Sequence, residues 1–204
     1  MKNKGKFITF EGVDGAGKST HIDEVISFLE SQKISVKRTR EPGGTKLGEK
    51  LRDLLLHDDM DPETETLLMF AARRQHIAEV IKPALDEGLF VVSDRFTDAT
   101  YAYQYGGKHV AYSKIETLEA WVHPDLKADL TLLFDLPVEV SIDRLKKNRT
   151  PDKFEKESEA FFNRLRNVYL DLARQHPNRY RVINANQPIE SVSHDVIEAI
   201  KSIL

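Results

Sequence analysis

The fold class predicted here is one α/β domain: a mostly parallel sheet with helices on both faces. Three observations lead to it. Short β-prone runs alternate with stretches of helix-period apolar residues along the whole chain. The first strand-to-helix junction carries a glycine-rich turn. Polar residues capable of strong chemistry directly follow several of the β-prone runs.

The elements follow in order. Phe7–Phe10 is a β-prone run that stops at Glu11-Gly12. Ile22, Val25, Ile26 and Leu29 then fall at i, i+3, i+4 and i+7, which is helix spacing. Residues 34–39 form a second β-prone run, and Leu47, Leu51, Leu54 and Leu55 mark a helix. One long helix is predicted next, carrying Leu67, Leu68, Phe70, Ile77, Val80, Ile81 and Leu85. Residues 89–92 read as a buried strand ending in Ser93-Asp94-Arg95. Helical stretches surround Tyr101 and Leu118, and residues 130–136 form the next strand. Helices follow around Val140, Ile142 and Leu145 and over residues 155–175, then a strand at 180–183 and a closing helix at 189–204. Repeated strand-helix crossovers require parallel pairing, and such sheets bind ligands at the carboxyl ends of their strands. Four places should therefore face one crevice: the Gly12 loop, Arg40-Glu41, Asp94-Arg95 and Asp135.

Composition narrows the class. The chain has 204 residues, 40% hydrophobic and 31% charged, which suits an ordinary globular protein. Its net charge of −3 argues against a general nucleic-acid binder, so any basic site must be local. There is no cysteine, which excludes disulfides and thiolate metal sites and fits a cytoplasmic location. The apolar run at the N-terminus is too short for a signal peptide or a membrane span. The seven histidines show no ligand spacing.

Gly12-Val13-Asp14-Gly15-Ala16-Gly17-Lys18-Ser19 fits the spacing of a phosphate-binding loop in full, between a β-prone run and a helix pattern. Glycines let the backbone curl so that several N–H groups point at phosphate oxygens, and the following helix adds the positive end of its dipole. Lys18 is placed to reach the β- and γ-phosphates, and the Ser19 hydroxyl to bind Mg²⁺. This predicts a nucleoside triphosphate ligand. No Asn-Lys-x-Asp guanine-reading motif is present. Arg40 and Arg95, each just past a strand, would converge beside this loop, where planar guanidinium forks suit a second phosphate.

At this point the sequence resembles the thymidylate kinases of bacteria, over nearly its whole length. The resemblance runs through residues 10–20, Thr-Arg-Glu-Pro-Gly-Gly-Thr at 39–45, Met-Phe-Ala-Ala-Arg-Arg at 69–74, Asp-Arg-Phe at 94–96, Ala-Tyr-Gln at 102–104 and Ala-Asp-Leu-Thr-Leu at 128–132. It implies a P-loop NTPase fold with a five-stranded sheet and a lid, and transfer of a phosphoryl group from ATP to dTMP with Mg²⁺ on the route to dTTP. It also implies a homodimer. Residues 12–19 and Thr20 would hold ATP. Arg40 and Arg95 would grip the dTMP phosphate, Phe70 would stack on thymine and Arg74 would donate to a thymine carbonyl. Thr100 and Gln104 would add base contacts, and Tyr103 would exclude a ribose 2′-hydroxyl. Asp14 would face the sugar 3′-hydroxyl, and Asp94 would hold Mg²⁺ or its water. By pattern alone, Phe70 reads as a core position and Glu41-Pro42-Gly43-Gly44 as a turn.

The lid is expected over residues 146–156. The phosphate loop contains no arginine, which places the chain with relatives whose catalytic arginine is in the lid. Arg149 is the choice, with Lys153 and Arg144 as alternatives. Two segments depart from the family: Asp152-Lys153-Phe154-Glu155, where an arginine is usual at 153, and Tyr105-Gly106-Gly107-Lys108-His109. Two rivals stand beside this reading, a kinase for another nucleotide or a deoxynucleoside, and a nucleotide-binding protein without turnover.

Overall fold

A computed structural model describes residues 5–148, 153–154 and 157–204, the side chains of residues 147 and 148 excepted. Five strands form one parallel sheet: β1 (Phe7–Glu11), β2 (Val36–Arg40), β3 (Phe90–Asp94), β4 (Leu130–Asp135) and β5 (Tyr180–Asn184). Their spatial order is β2-β3-β1-β4-β5. The central strand β1 is buried along its whole length, whereas the edge strand β2 is largely exposed. This is the gradient expected when crossover helices cover both faces of a sheet. Phe10 pairs with Asp94 and Arg40 pairs with Asp94, so the polar ends of β1, β2 and β3 lie at one edge.

The helices are α1 (Lys18–Ser31), α2 (Lys46–His57), α3 (Pro62–His76), α4 (Lys82–Asp86), α5 (Thr97–Thr100), α6 (Tyr112–Val122), α7 (Val138–Asn148), α8 (Glu159–Gln175) and α9 (Ile189–Lys201). Local chemistry sets several of their ends. Thr45 caps α2 by accepting from the Gly48 N–H, and Asp61 caps α3 with Pro62 in its first turn. Ser158 caps α8, so that helix starts at Glu159, later than residue 155.

The predicted single helix across residues 67–85 is interrupted by a π-helical turn, Ile77–Ile81. The Lys82 N–H bonds to the Ile77 carbonyl one residue before Pro83. Proline has no N–H and its ring crowds the carbonyl four residues back, so the wider turn relieves the helix there. A second π-helical turn, Tyr101–Gly107, follows α5. It lies tightly on α8. A Cβ on Gly107 would come within 2.3 Å of the Phe161 ring, and one on Gly106 within 2.7 Å of Val168. Arg164 closes the joint by donating to the carbonyls of Gly106 and Gly107. The two glycines in the 105–109 departure therefore serve close packing. The wide turn presents Tyr103 and Gln104 to the strand-end crevice.

Candidate active site

A cavity of about 530 Å³ opens at the carboxyl edge of the sheet. The phosphate loop forms one end. Gly12, Gly15 and Gly17 have φ of 130°, 79° and 87°, a region that side-chain-bearing residues rarely adopt. A Cβ on Gly12 would also stand 2.5 Å from the Phe134 carbonyl oxygen of β4. Val13 and Ala16 are buried beneath the loop, while Ser19 and Thr20 are exposed on the cavity side. Lys18 Nζ donates to the carbonyls of Gly12 and Val13, 3.1 Å away in each case. Burial lowers the Lys18 pKa and Arg95 lowers it further, against Asp94, Asp14 and Glu11.

A network of charges occupies the middle. Arg95 Nη2 donates to Asp14 Oδ1 at 2.8 Å and to the Tyr103 hydroxyl at 2.9 Å. Its Nη1 donates to the Tyr169 hydroxyl at 3.0 Å. The Tyr103 hydroxyl donates to Asp14 Oδ2 at 2.6 Å, and the Arg95 guanidinium lies 4.8 Å from the Tyr103 ring centre. Burial alone would raise the Asp14 pKa, but Arg95, Lys18 and the Tyr103 hydroxyl outweigh it and bring the carboxyl down to about 2. Asp14 is therefore ionised at neutral pH and fixes both the cation and the ring. Arg95 reaches this position through a left-handed backbone, φ 71°. Behind it, Glu11 accepts from the Phe96 N–H and the Tyr169 hydroxyl.

The far end is built on buried Glu41, which accepts from Arg73 Nε at 2.7 Å and bonds His76 Nδ1 at 2.9 Å. Burial would raise its pKa, but Arg73 and His76 hold it down. Arg73 Nη2 also donates to the Thr100 hydroxyl and the Phe96 carbonyl. Among the described residues, Arg73 Nη1 and Asp94 Oδ1 are buried without a hydrogen-bond partner. Gln104 Nε2 donates to Glu65 at 2.9 Å.

The expected residues can now be placed. Asp14, Lys18, Ser19, Thr20, Arg40, Asp94, Arg95, Thr100, Tyr103 and Gln104 all line this one cavity. Arg40 is half exposed and paired with Glu49. Two expectations are corrected. Arg74 is exposed and turned toward the Val122 carbonyl at the end of α6, whereas Arg73 lines the cavity. Adjacent residues of a helix point about 100° apart, so only one of the pair can face the cleft. Phe70 is buried in the core, with its ring 4.7 Å from the Arg73 guanidinium, and Met69 lines the cavity in its place. Arg149 lies outside the described residues. Arg144 is on α7 and lines the phosphate-loop end of the cavity, with Nη1 3.9 Å from where a Gly17 Cβ would be and Nη2 donating to the Ala185 carbonyl. Lys153 does not line the cavity. The fourth strand end, Asp135, makes a two-pronged ion pair with Arg166 of α8 and so ties helix to sheet.

Sequence reasoning placed Glu41 at the crevice without giving it a role and missed Arg52 and Arg73; all three line the cavity. Arg73 was findable. It lies at i+3 from Phe70 and i−4 from Ile77, on the phase of the buried face.

Known proteins identify the family. The thymidylate kinase family model matches residues 10–196. A thymidylate kinase of Methylobacillus flagellatus is 62% identical over 97% of this chain and 98% of its own. One from Thiobacillus denitrificans is 53% identical over the full length of both. The crystal structure of thymidylate kinase from Ehrlichia chaffeensis superposes with a TM-score of 0.79 at 34% identity, covering 97% of this chain and 99% of that one. The chain thus belongs to the thymidylate kinase family, enzymes that phosphorylate dTMP to dTDP using ATP.

Proposed function

We propose how the residues of this cavity divide that reaction. ATP lies along residues 12–20, with Lys18 and Arg144 at its phosphates. dTMP occupies the other end, its phosphate between Arg40 and Arg95 and its base against Met69, Arg73, Thr100 and Gln104. The observation that carries this division is the pair of groups around the base position. Arg73 Nη1 is a buried donor without a partner among the described residues, and Gln104 has its amide nitrogen committed to Glu65, which leaves the amide oxygen as acceptor. A donor beside an acceptor complements thymine O4 and N3–H. Cytosine presents the reverse pattern and would leave both groups unpaired.

A phosphate monoester dianion is itself a nucleophile, so no side chain needs to take a proton from it. One of its oxygens attacks the γ-phosphorus in line as the bond to ADP breaks. This chain's residues position the two phosphates and neutralise charge. Asp14 holds Arg95 and Tyr103 in place for the acceptor. Mg²⁺ fits the donor end, because the Ser19 hydroxyl is exposed there and the buried Asp94 Oδ1 awaits a donor such as a metal-bound water. The ion would supply charge stabilisation at the phosphates. On sequence grounds Arg149 is the arginine that meets the transferring group.

The whole chain is read as one kinase unit, with a lid at 146–156, acting in the cytoplasm. No described helix is long and apolar enough to cross a membrane. A homodimer is supported by Leu54, Leu67 and Trp121, exposed on the neighbouring helices α2, α3 and α6.

A coupled ADP-release assay across nucleoside monophosphates tests the division. dTMP should be preferred over dUMP modestly, because a methyl group is worth about 1–3 kcal/mol, and over dCMP strongly. Turnover of dCMP as fast as dTMP would refute the assignment of Arg73 and Gln104.

A further inference from the structure

The two segments that depart from the family pattern meet at one buried carboxylate. Glu65 of α3 has a fully buried side chain. Its Oε2 is 2.8 Å from Lys108 Nζ, in the first departure, and 3.0 Å from Lys153 Nζ, in the second. Its Oε1 accepts from Gln104 Nε2. Lys153 Nζ also donates to the Asp58 carbonyl just past α2, at 2.9 Å. The next residue, Phe154, is 6% exposed and packs edge-on against Tyr103, with ring centres 5.7 Å apart. The ammonium groups of Lys108 and Lys153 lie 4.8 and 5.3 Å from the Phe154 ring centre. Phe154, Tyr103 and Gln104 line the cavity, while Lys153, Lys108 and Glu65 do not.

We propose that Lys153 is a positioning residue for the acceptor: by pairing with Glu65 it pins Phe154 against Tyr103 as a wall of the acceptor cavity. The proposal rests on reading that end of the cavity as the dTMP site. Lys153 then acts through Phe154 and not on the transferring phosphoryl group. The usual arginine at 153 and this lysine are interchangeable for such a role, because a pair to one carboxylate oxygen needs only a cation. The role would not be interchangeable if 153 gripped a phosphate with a planar fork. Lys108 keeps Glu65 neutralised when Lys153 is lost, so removing Lys153 does not strand a buried charge.

The test combines dTMP titration calorimetry without ATP and steady-state kinetics on Lys153→Met, Lys153→Arg, Phe154→Ala and the Lys153→Met/Phe154→Ala double variant. Lys153→Met should raise both Kd and KM for dTMP about tenfold, with a smaller change in kcat and none in KM for ATP. Lys153→Arg should restore them. The double variant should lose no more than Phe154→Ala alone, since one residue acts through the other. A fall in kcat at unchanged dTMP affinity, no change at all, or losses that multiply in the double variant would each overturn the proposal. If the wild-type enzyme fails to bind dTMP in the same titration, the acceptor reading itself fails, whatever Lys153 does.

Discussion

The two ends of the cavity are made differently. The end proposed for ATP centres on one uninterrupted stretch, Gly12–Ser19, held in shape by glycines at positive φ, with Lys18 inside it and Arg144 of α7 alongside. The end proposed for dTMP is assembled from side chains of β2, α3, α5, the end of β3, the second π-helical turn and Phe154, far apart in sequence. A contiguous backbone device depends on residue spacing alone. A dispersed device depends on which way each helix is turned. The first kind tolerates few substitutions at any position, whereas the second contains neighbours of opposite fate.

The largest effect should come from the donor end. Lys18→Ala should cut kcat by about 10²–10³-fold or more in a protein that still folds, because the ammonium supports charge that builds at the transferring group. Circular dichroism and steady-state kinetics check both halves. Near-normal turnover in a folded variant would mean that the loop is not the donor site.

The acceptor end should show its helix phase. Arg73→Ala should weaken dTMP at least about a hundredfold, since it removes a base contact and strands Glu41 in the core with only His76. Arg74→Ala should stay within about threefold, as expected for an exposed side chain away from the cavity. Comparable losses at both positions would erase the distinction drawn here between neighbours.

The smallest effect concerns Glu11, which lies beneath both ends. Burial, with Asp98 adding, pushes its pKa from 4.5 to about 8, while Arg95, the Phe96 N–H and the Tyr169 hydroxyl resist. Between those two values the folded protein keeps a proton that the unfolded chain releases. Its contribution to stability is therefore complete below about pH 4.5 and declines as pH rises to 8, by a few kcal/mol at most. Glu11→Gln, neutral throughout, should lose less stability than wild type between pH 6 and pH 8 in urea melts. Parallel curves would show that Glu11 titrates near its ordinary value.

The same contrast explains what was legible in the sequence. The strand order of chemistry, the loop and the placement of Arg40, Arg95 and Asp94 follow from strand ends, which periodicity locates well. Arg74 was misread because the motif fixes a pair of arginines but not the rotation of α3, which carries Leu67 outward and Thr66 inward. The π-helical turns were invisible because they arise from the geometry around Pro83 and from tight packing on α8, not from apolar spacing. Glu41 looked like part of a turn because nothing local marks its partners, which are 32 and 35 residues away.

Arg95 combines a side chain to which we assign the acceptor phosphate with a backbone conformation that resists it. A non-glycine residue at φ 71° costs on the order of 1 kcal/mol, which glycine would not incur. Glycine at 95 would relieve that strain but leave the buried Asp14 carboxylate and the hydroxyls of Tyr103 and Tyr169 without their cation, a larger loss of about 3–5 kcal/mol. The awkward backbone is thus held in place by the side chain's own bonds, and a screen for heat resistance alone would keep the arginine as firmly as one that reads product formation.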